Sequence, residues 1–330
     1  MPQYRLHIPV VLLLAGLLMV SGCAKKNDTT APKRIAGIVF QEDQFFRLVV
    51  FGMRDAAKTA GIELLEANSA GRPDKEIQLV NTYIAQGVDA IVISPLSARA
   101  SMSALERARS KGITVVTYNT TVESDVPVSF VESDQVELGA STGRAARAYI
   151  DSVYGGKATV ALLGFLSQAP EIYYQRKEGF VREITRLPGV HVVAEQDAWL
   201  AEQAVKKAGD ILTANPAVNI IWAANEGGTV GAVMAVKNSG RTGRVAVFGT
   251  DASDQLADFL LTEEPVLQAV TGQQPFLIGT RSVQAALSSL KKEPVEKKVS
   301  LPGRLLTRTR PDDVRQFKNE LHTMLANDKP

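Results

Sequence analysis

The sequence predicts an α/β protein made of two doubly wound lobes, each a parallel sheet covered by helices. Two observations carry that expectation. From Arg34 onward, short apolar β-rich runs alternate with longer stretches of helical periodicity. In three places a helix ends in glycine and a strand begins at once, in AGIELL, QGVDAIVI and KGITVV. The same cadence returns in the second half of the chain. Parallel strands need crossovers of this length, and the crossover helices cover both faces of the sheet they connect.

The elements follow in order. RIAGIVF (34–40) reads as a strand, and the next stretch places Phe46, Val49, Val50, Met53, Ala56, Ala57 and Ala60 at helical spacing until Gly61 stops it. IELLEAN (62–68) is the second strand. Pro73 opens a helix that runs to Gln86 and is closed by Gly87. AIVISP (90–95), a helix through SALERARSK (103–111) ended by Gly112, and ITVVTYN (113–119) complete the first series. In the second half, ATVALLGF, VHVVAEQ, NIIWAAN, VAVFGTD and VLQAVTGQ read as strands, with helices over 171–187, 200–214, 226–238 and 275–292. Each sheet is expected to hold about five strands. Trp222, inside IIWAA, is expected in the core, and KKEPVEKK (291–298) as a solvated loop of alternating charge.

The front of the chain has a different character. Arg5 precedes an uncharged apolar run from Ile8 to Val20, the length of a secretory signal's hydrophobic segment and shorter than a membrane span. The small residues Ser21 and Gly22 then lead to Cys23, the single cysteine of the 330 residues. Val20-Ser21-Gly22-Cys23 resembles a bacterial lipobox, with Val where Leu is more usual. That resemblance implies a signal peptide over 1–22, lipid on Cys23 as the new first residue, and a polar tether over 23–33 reaching at most roughly 35 Å. With the one thiol so used, no disulfide is expected. A catalytic or metal-binding thiol would need a partner, and His7, His191 and His322 lie far apart in sequence. No metal and no cofactor are expected.

Composition excludes some classes of function. The 37 Lys and Arg nearly balance 35 Asp and Glu, without the basic patch of a nucleic-acid-binding protein. No Walker loop or metal cluster marks an enzyme. What stands out is how the strands end. IVF runs into Gln41-Glu42-Asp43, TVVTY into Asn119, IIWAA into Asn225, VAVFGT into Asp251 and QAVTG into Gln273. Carboxyl ends of strands in open parallel sheets face the ligand crevice, so two lobes would share a cleft lined by Asp, Asn and Gln. The same residue types also cap helix N-termini, and each position is open to that reading.

These residues bring a resemblance into view. From about 34 to 325 the chain resembles the type I periplasmic binding proteins for monosaccharides, the ribose and galactose/glucose group of ABC importers. The matching pieces are IAGIVFQEDQFF, the VTYN strand end, QRKEGF (175–180), AWLAEQA (198–204), AANEGGTVGA (223–232), VFGTDASD (247–254) and TGQQP (271–275), all in the family's order. The resemblance implies a three-segment hinge, with one lobe from 34–133 plus 274–301 and the other from 134–273 plus 302–330. It implies a ligand site of Asp43, an aromatic at Phe45 or Phe46 with Phe46 preferred, Asn119, its neighbour Thr120, Arg176, Trp199, Asn225, Asp251 and Gln273.

The chemistry of that set agrees with a sugar. Flat rings cover the C–H faces of a pyranose, while amides, carboxylates and a guanidinium bridge neighbouring hydroxyls. Two carboxylates against one arginine suit a neutral monosaccharide or polyol. The chain departs from the family at Thr120, where ribose relatives carry arginine and galactose relatives lysine, and in FLSQAPEIYY (165–174), which lacks the galactose type's His and Asp. It also has no acidic calcium-binding loop.

The implied protein is an exported substrate-binding lipoprotein, not an enzyme. Its partners would be a small sugar or polyol, the transmembrane permease subunits, and a membrane held through Cys23. It would act as a monomer, on the outer face of the cytoplasmic membrane or the periplasmic side of the outer membrane, to which Ala24 after the cysteine points. A chemotaxis or autoinducer-like receptor is the alternative on the same fold. A transcription repressor core would need a helix-turn-helix where this chain has its lipobox. A hydrolase built on Asp43 and Asp251 lacks supporting motifs.

Overall fold

The computed structural model describes residues 1–3 and 32–326. Cys23, all but the first three residues of the signal peptide expected over 1–22, and nearly all of the tether lie outside the described residues. From Lys33 the chain forms one compact unit. Its first eight elements are β1 (Arg34–Val39), α1 (Gln44–Ala60), β2 (Glu63–Asn68), α2 (Pro73–Gln86), β3 (Ala90–Ile93), α3 (Met102–Ser110), β4 (Thr114–Tyr118) and β5 (Ser129–Ser133). Then come α4 (Gln135–Tyr154), β6 (Lys157–Gly164), α5 (Pro170–Ile184), β7 (Gly189–Asp197), α6 (Ala201–Ala214), β8 (Ile220–Ala223), α7 (Glu226–Asn238), β9 (Ala246–Thr250), α8 (Asp254–Leu261) and β10 (Leu267–Gly272). The chain finishes with α9 (Pro275–Leu290), β11 (Lys298–Leu301), β12 (Arg304–Thr307) and α10 (Pro311–Ala326).

The glycines that end helices in the sequence do so for a conformational reason. Gly61 and Gly87 cap α1 and α2 at φ of 65° each, a left-handed geometry that costs glycine nothing. The strands assemble into two sheets, ordered β11-β5-β4-β3-β1-β2 and β12-β10-β9-β8-β6-β7. Each has six strands rather than about five. β5, β11 and β12 are the additions, and the last two are four-residue strands too short to show periodicity. All pairings are parallel except β12 on β10, an antiparallel strand at the sheet edge.

Helices lie on both faces of both sheets. In the first sheet, α1 and α9 bury Phe46, Val49, Met53, Ile278 and Val283 on one side, while α2 and α3 bury Val80, Tyr83 and Leu105 on the other. In the second, Phe180 and Ile184 of α5 pack with Ala146 and Ile150 of α4, and the opposite face holds α6, α7, α8 and α10. Trp222 is fully buried on the α4/α5 face, its ring stacked on Phe180 at 4.6 Å.

The chain passes between the sheets in three places, after β5, after β10 and after β11. The passages are bonded to one another. Asp134 N–H donates to Leu301 O at 2.9 Å, Gln274 Nε2 to Pro302 O at 2.8 Å, and Ser133 Oγ to Gln273 Oε1 at 2.9 Å.

One helix pair in each lobe packs backbone against backbone. A Cβ at Gly52 would fall 1.9 Å from Phe276 O, and one at Gly279 would fall 1.9 Å from Val49 O, so α1 and α9 need both glycines. The pair α4 and α5 repeats the device: a Cβ at Gly139 would sit 1.8 Å from Arg176 O, and one at Gly179 would sit 1.9 Å from Val136 O. Gly139→Ala therefore forces α5 outward and is expected to lower stability by about 1–3 kcal/mol or more, measured by urea denaturation. Gly209→Ala on α6, where an added Cβ meets nothing within 4 Å, is expected to raise stability by about 0.5–1 kcal/mol. Equal effects of the two substitutions would show that the close approach is not what holds α5 in place.

Candidate functional site

The carboxyl ends of the strands of both sheets supply the site. Two of them carry a side chain on strained backbone. Asn119, just past β4, has φ of 59°, and Asp251, just past β9, has φ of 71°. Asn and Asp tolerate this region better than other L-residues, and such strain gathers at ligand sites. The two positions correspond: Asn119 N–H donates to Val131 O and Asp251 N–H to Thr271 O, each at 2.9 Å across to the next strand.

Arg176 is the centre of the second lobe's side. It projects from α5 and is only 4% exposed. Its Nε donates to Gln135 Oε1 at 2.8 Å, and its Nη1 to Ala224 O at 2.7 Å and Asp251 Oδ2 at 3.2 Å. The guanidinium lies over the ring of Phe165 at 5.5 Å, and Phe165 meets Trp199 edge-on at 5.4 Å. A buried cation needs such partners, because its desolvation is costly without them. Gln273 Nε2 donates to Asp251 Oδ1 at 2.9 Å, so Arg176, Asp251 and Gln273 form one chain that ends at Ser133.

Asn225 is used twice. Its Oδ1 accepts from Gly228 N–H at 3.1 Å and caps α7, while its Nδ2 donates to Trp199 O at 2.9 Å. Trp199 itself is 37% exposed, an open ring fixed by its backbone and its edge. In the first lobe, Asp43 caps α1 by accepting from Phe46 N–H at 3.0 Å and is otherwise exposed. Asn119 Nδ2 reaches Ser94 Oγ at 3.4 Å. Thr120 turns towards the loop after β3, donating to Pro95 O at 2.6 Å.

The preference for Phe46 over Phe45 is corrected. Phe46 is 3% exposed, with Phe40 at 4.4 Å and Tyr118 at 6.5 Å, because it belongs to the same helical stripe as Val49 and Met53. Phe45 is the half-buried member of the pair and touches Phe46 edge-on at 5.2 Å. Asp43 and Asn225 are helix caps, as their residue types allowed; Asn119 and Asp251 are not.

Four participants were not picked out from the sequence. Phe165 closes a strand in the same way as the residues that were. Glu226 sits inside AANEGGTVGA, beside Asn225. Gln135 and Ser133 flank the passage after β5, which no periodicity announced. Glu226 alters the electrostatics. Burial pushes its carboxyl above the ordinary 4.5, Asp251 and Asp43 add to the rise, and a hydrogen bond from Ser253 opposes it. The first lobe's Asp43 is thus felt by a carboxyl of the second.

Residues 38–294 match the family model described as a periplasmic binding protein domain. The chain is 31% identical over 310 residues to the ABC transporter periplasmic-binding protein YphF of Escherichia coli strain K12, covering 91% of this chain and 92% of that one. It is 28% identical over 309 residues to the ribose import binding protein RbsB of Bacillus subtilis strain 168, covering 90% and 97%. Among solved structures it is similar to a carbohydrate transporter solute-binding protein from Agrobacterium radiobacter in complex with D-arabinose. That match has a TM-score of 0.75 and 25% identity, over 89% of this chain and 99% of that one.

The raised Glu226 pKa makes a stability prediction. The fold disfavours the ionised form, so the contribution is fully present below the unperturbed 4.5 and is lost as pH rises through the folded value. Glu226→Gln should melt above wild type at pH 7, with the gap closing below pH 4.5. A gap that widens towards acid would reverse the assignment.

Proposed function

The chain belongs to the periplasmic binding protein domain family, and from that premise we propose that it is the substrate-binding component of an ABC importer, closing two lobes on a monosaccharide or polyol. The observation that carries this reading is the buried Arg176 fork, held at the junction of three strand ends by Ala224 O, Asp251 and Phe165 and, from the start of α4, by Gln135. A guanidinium fixed in this way presents planar donors to neighbouring hydroxyls with little ordering left to do on binding. Asp251 and Gln273 supply acceptors and donors beside it, and the exposed ring of Trp199 offers a face for the apolar side of a sugar. From the other lobe, Asp43 and Asn119 complete the set, with Phe45 rather than Phe46 as its aromatic. The kinship with a ribose import protein and with a D-arabinose complex supports the ligand class.

The three bonded passages between the sheets are the hinge in this reading, with the lobe boundaries at 133/134, 273/274 and 301/302. Few backbone torsions then need to change for closure, and the closed form is what a permease would read. The protein is exported, acts as a monomer, and is moored by lipid on Cys23. No reaction is assigned to it.

Calorimetry and thermal shift against pentoses, hexoses and polyols test the binding reading. A ligand present well above its Kd raises the melting point by mass action. Arg176→Ala is expected to cost about 2–5 kcal/mol of affinity, and Trp199→Ala roughly tenfold in Kd with the unliganded melting point unchanged. No response to any of these ligands would sink the proposal, and unfolding of the Trp199 variant would make that ring a core residue. The mooring has its own test: labelled palmitate should appear on the wild-type protein in cells and be absent from Cys23→Ser. Equal labelling of the two would rule out Cys23 as the attachment point.

A further inference from the structure

The second lobe buries a cation, Arg176, and the first buries a carboxyl that the site as described does not use. Glu76, in the first turn of α2, is 2% exposed. Among the described residues no cation pairs with it. Burial pushes its carboxyl above the ordinary 4.5, and hydrogen bonds from Ser101 and Leu96 are what oppose the rise. Keeping an acid in such a place is costly, and two hydrogen bonds offset only part of it.

The two donors are the Leu96 N–H, to Oε2 at 2.9 Å, and the Ser101 hydroxyl, to Oε1. Leu96 lies in the loop after β3, and its N–H shares one peptide group with Pro95 O. That group is planar and trans, so its N–H and C=O point opposite ways. On the far side Pro95 O accepts from Thr120 Oγ1 at 2.6 Å. Thr120 has one hydroxyl proton and gives it there, so its 3.1 Å contact with Ser94 Oγ is a bond that Ser94 donates. Ser94 Oγ in turn accepts from Asn119 Nδ2 at 3.4 Å. Every donor therefore points the same way, from Asn119 through Ser94, Thr120 and the Pro95–Leu96 peptide to Glu76. Bonds aligned head to tail strengthen one another, and a carboxylate is the strongest acceptor on which to end them.

We propose that Glu76 is a positioning residue for the candidate site: it fixes Asn119 with the amide NH₂ turned to Ser94 and leaves Oδ1 as the acceptor offered to a ligand hydroxyl. This rests on the sugar-binding reading above, which counts Asn119 among the ligand groups. Removing the carboxyl loosens the peptide group, and with it the hydroxyls that decide which way the Asn119 amide faces.

The test is NMR of the unliganded protein, read at the Leu96 amide and the Asn119 side-chain NH₂. Calorimetry of D-ribose, D-arabinose, D-allose and myo-inositol runs beside it. Glu76→Ala should move both signals. Glu76→Gln keeps an acceptor for Leu96 and can donate to the Ser101 hydroxyl, so it should move Leu96 and return Asn119 to its wild-type position. Whichever of the four the wild type binds should bind about tenfold weaker to the Ala variant and within about twofold to the Gln variant. A side chain that only steadies α2 would move Leu96 and leave Asn119 alone. That result overturns the proposal, as does an Asn119 signal displaced equally in both variants. If Glu76→Ala does not fold, Thr120→Val cuts the chain from its other end. The Leu96 amide proton should then shift across the shared peptide group, and an unmoved proton overturns the proposal. If none of the four binds the wild type, the fault lies with the sugar-binding reading, and the Asn119 signal still decides the role of Glu76.

Discussion

The rest of the site depends on one contact between backbones. Gly139 of α4 lies directly against the carbonyl of Arg176 on α5, with Gly179 answering against Val136. Any side chain at either glycine would separate the helices by about its own van der Waals depth. At its present distance α5 delivers the Arg176 side chain to the ends of β6, β8 and β9 together, where Phe165, Ala224 O and Asp251 receive it. A guanidinium is a rigid fork, so it meets three fixed partners only if its own origin is fixed. Packing between two helices on the back of the sheet is in this way the source of the geometry at its front.

The two lobes solve the same problem with the same parts. Each has a glycine-paired helix couple, α1 with α9 and α4 with α5. Each bends a strand end through a left-handed residue, Asn119 or Asp251, whose N–H bonds to the neighbouring strand at the same distance. The lobes differ in charge. The second holds a buried cation inside a satisfied network, while the first offers an exposed carboxylate and uncharged hydroxyls. The shared backbone device sets where the candidate site's side chains stand, and the unshared side chains set which groups they can offer.

The sequence displayed the fold wherever punctuation and period coincide. Glycine after helix and apolar run after glycine are local signals, because the left-handed cap and the buried strand are local requirements. β11 and β12 gave no such signal: their pairing is decided by partners more than a hundred residues away for β11 and, for β12, by a strand separated from it by α9 and β11. Asn119, Asn225, Asp251 and Gln273 were legible as candidates because strand ends are legible. Phe46 shares its helical stripe with Val49 and Met53, and that phase buries it where Phe45 stays half-buried. Gln135 could not be read, since its role exists only once α4 and α5 are pressed together.

The passages between the sheets and the candidate site are parts of one bonded chain. Ser133, at the end of a first-sheet strand, donates to Gln273; Gln273 donates to Asp251; and Arg176 donates to Asp251 in turn. Gln273 sits one residue beyond β10, where the chain leaves the second sheet. A change of angle between the lobes displaces Ser133 relative to Asp251, and Gln273 spans that gap with both ends of its amide. Its carbonyl and its NH₂ are therefore committed in opposite directions, and rotation at the passage strains one bond or the other. The carboxylate that balances the buried arginine is thus also the group most directly tied to lobe movement. Charge in the cleft and the angle between the lobes are linked through a single side chain.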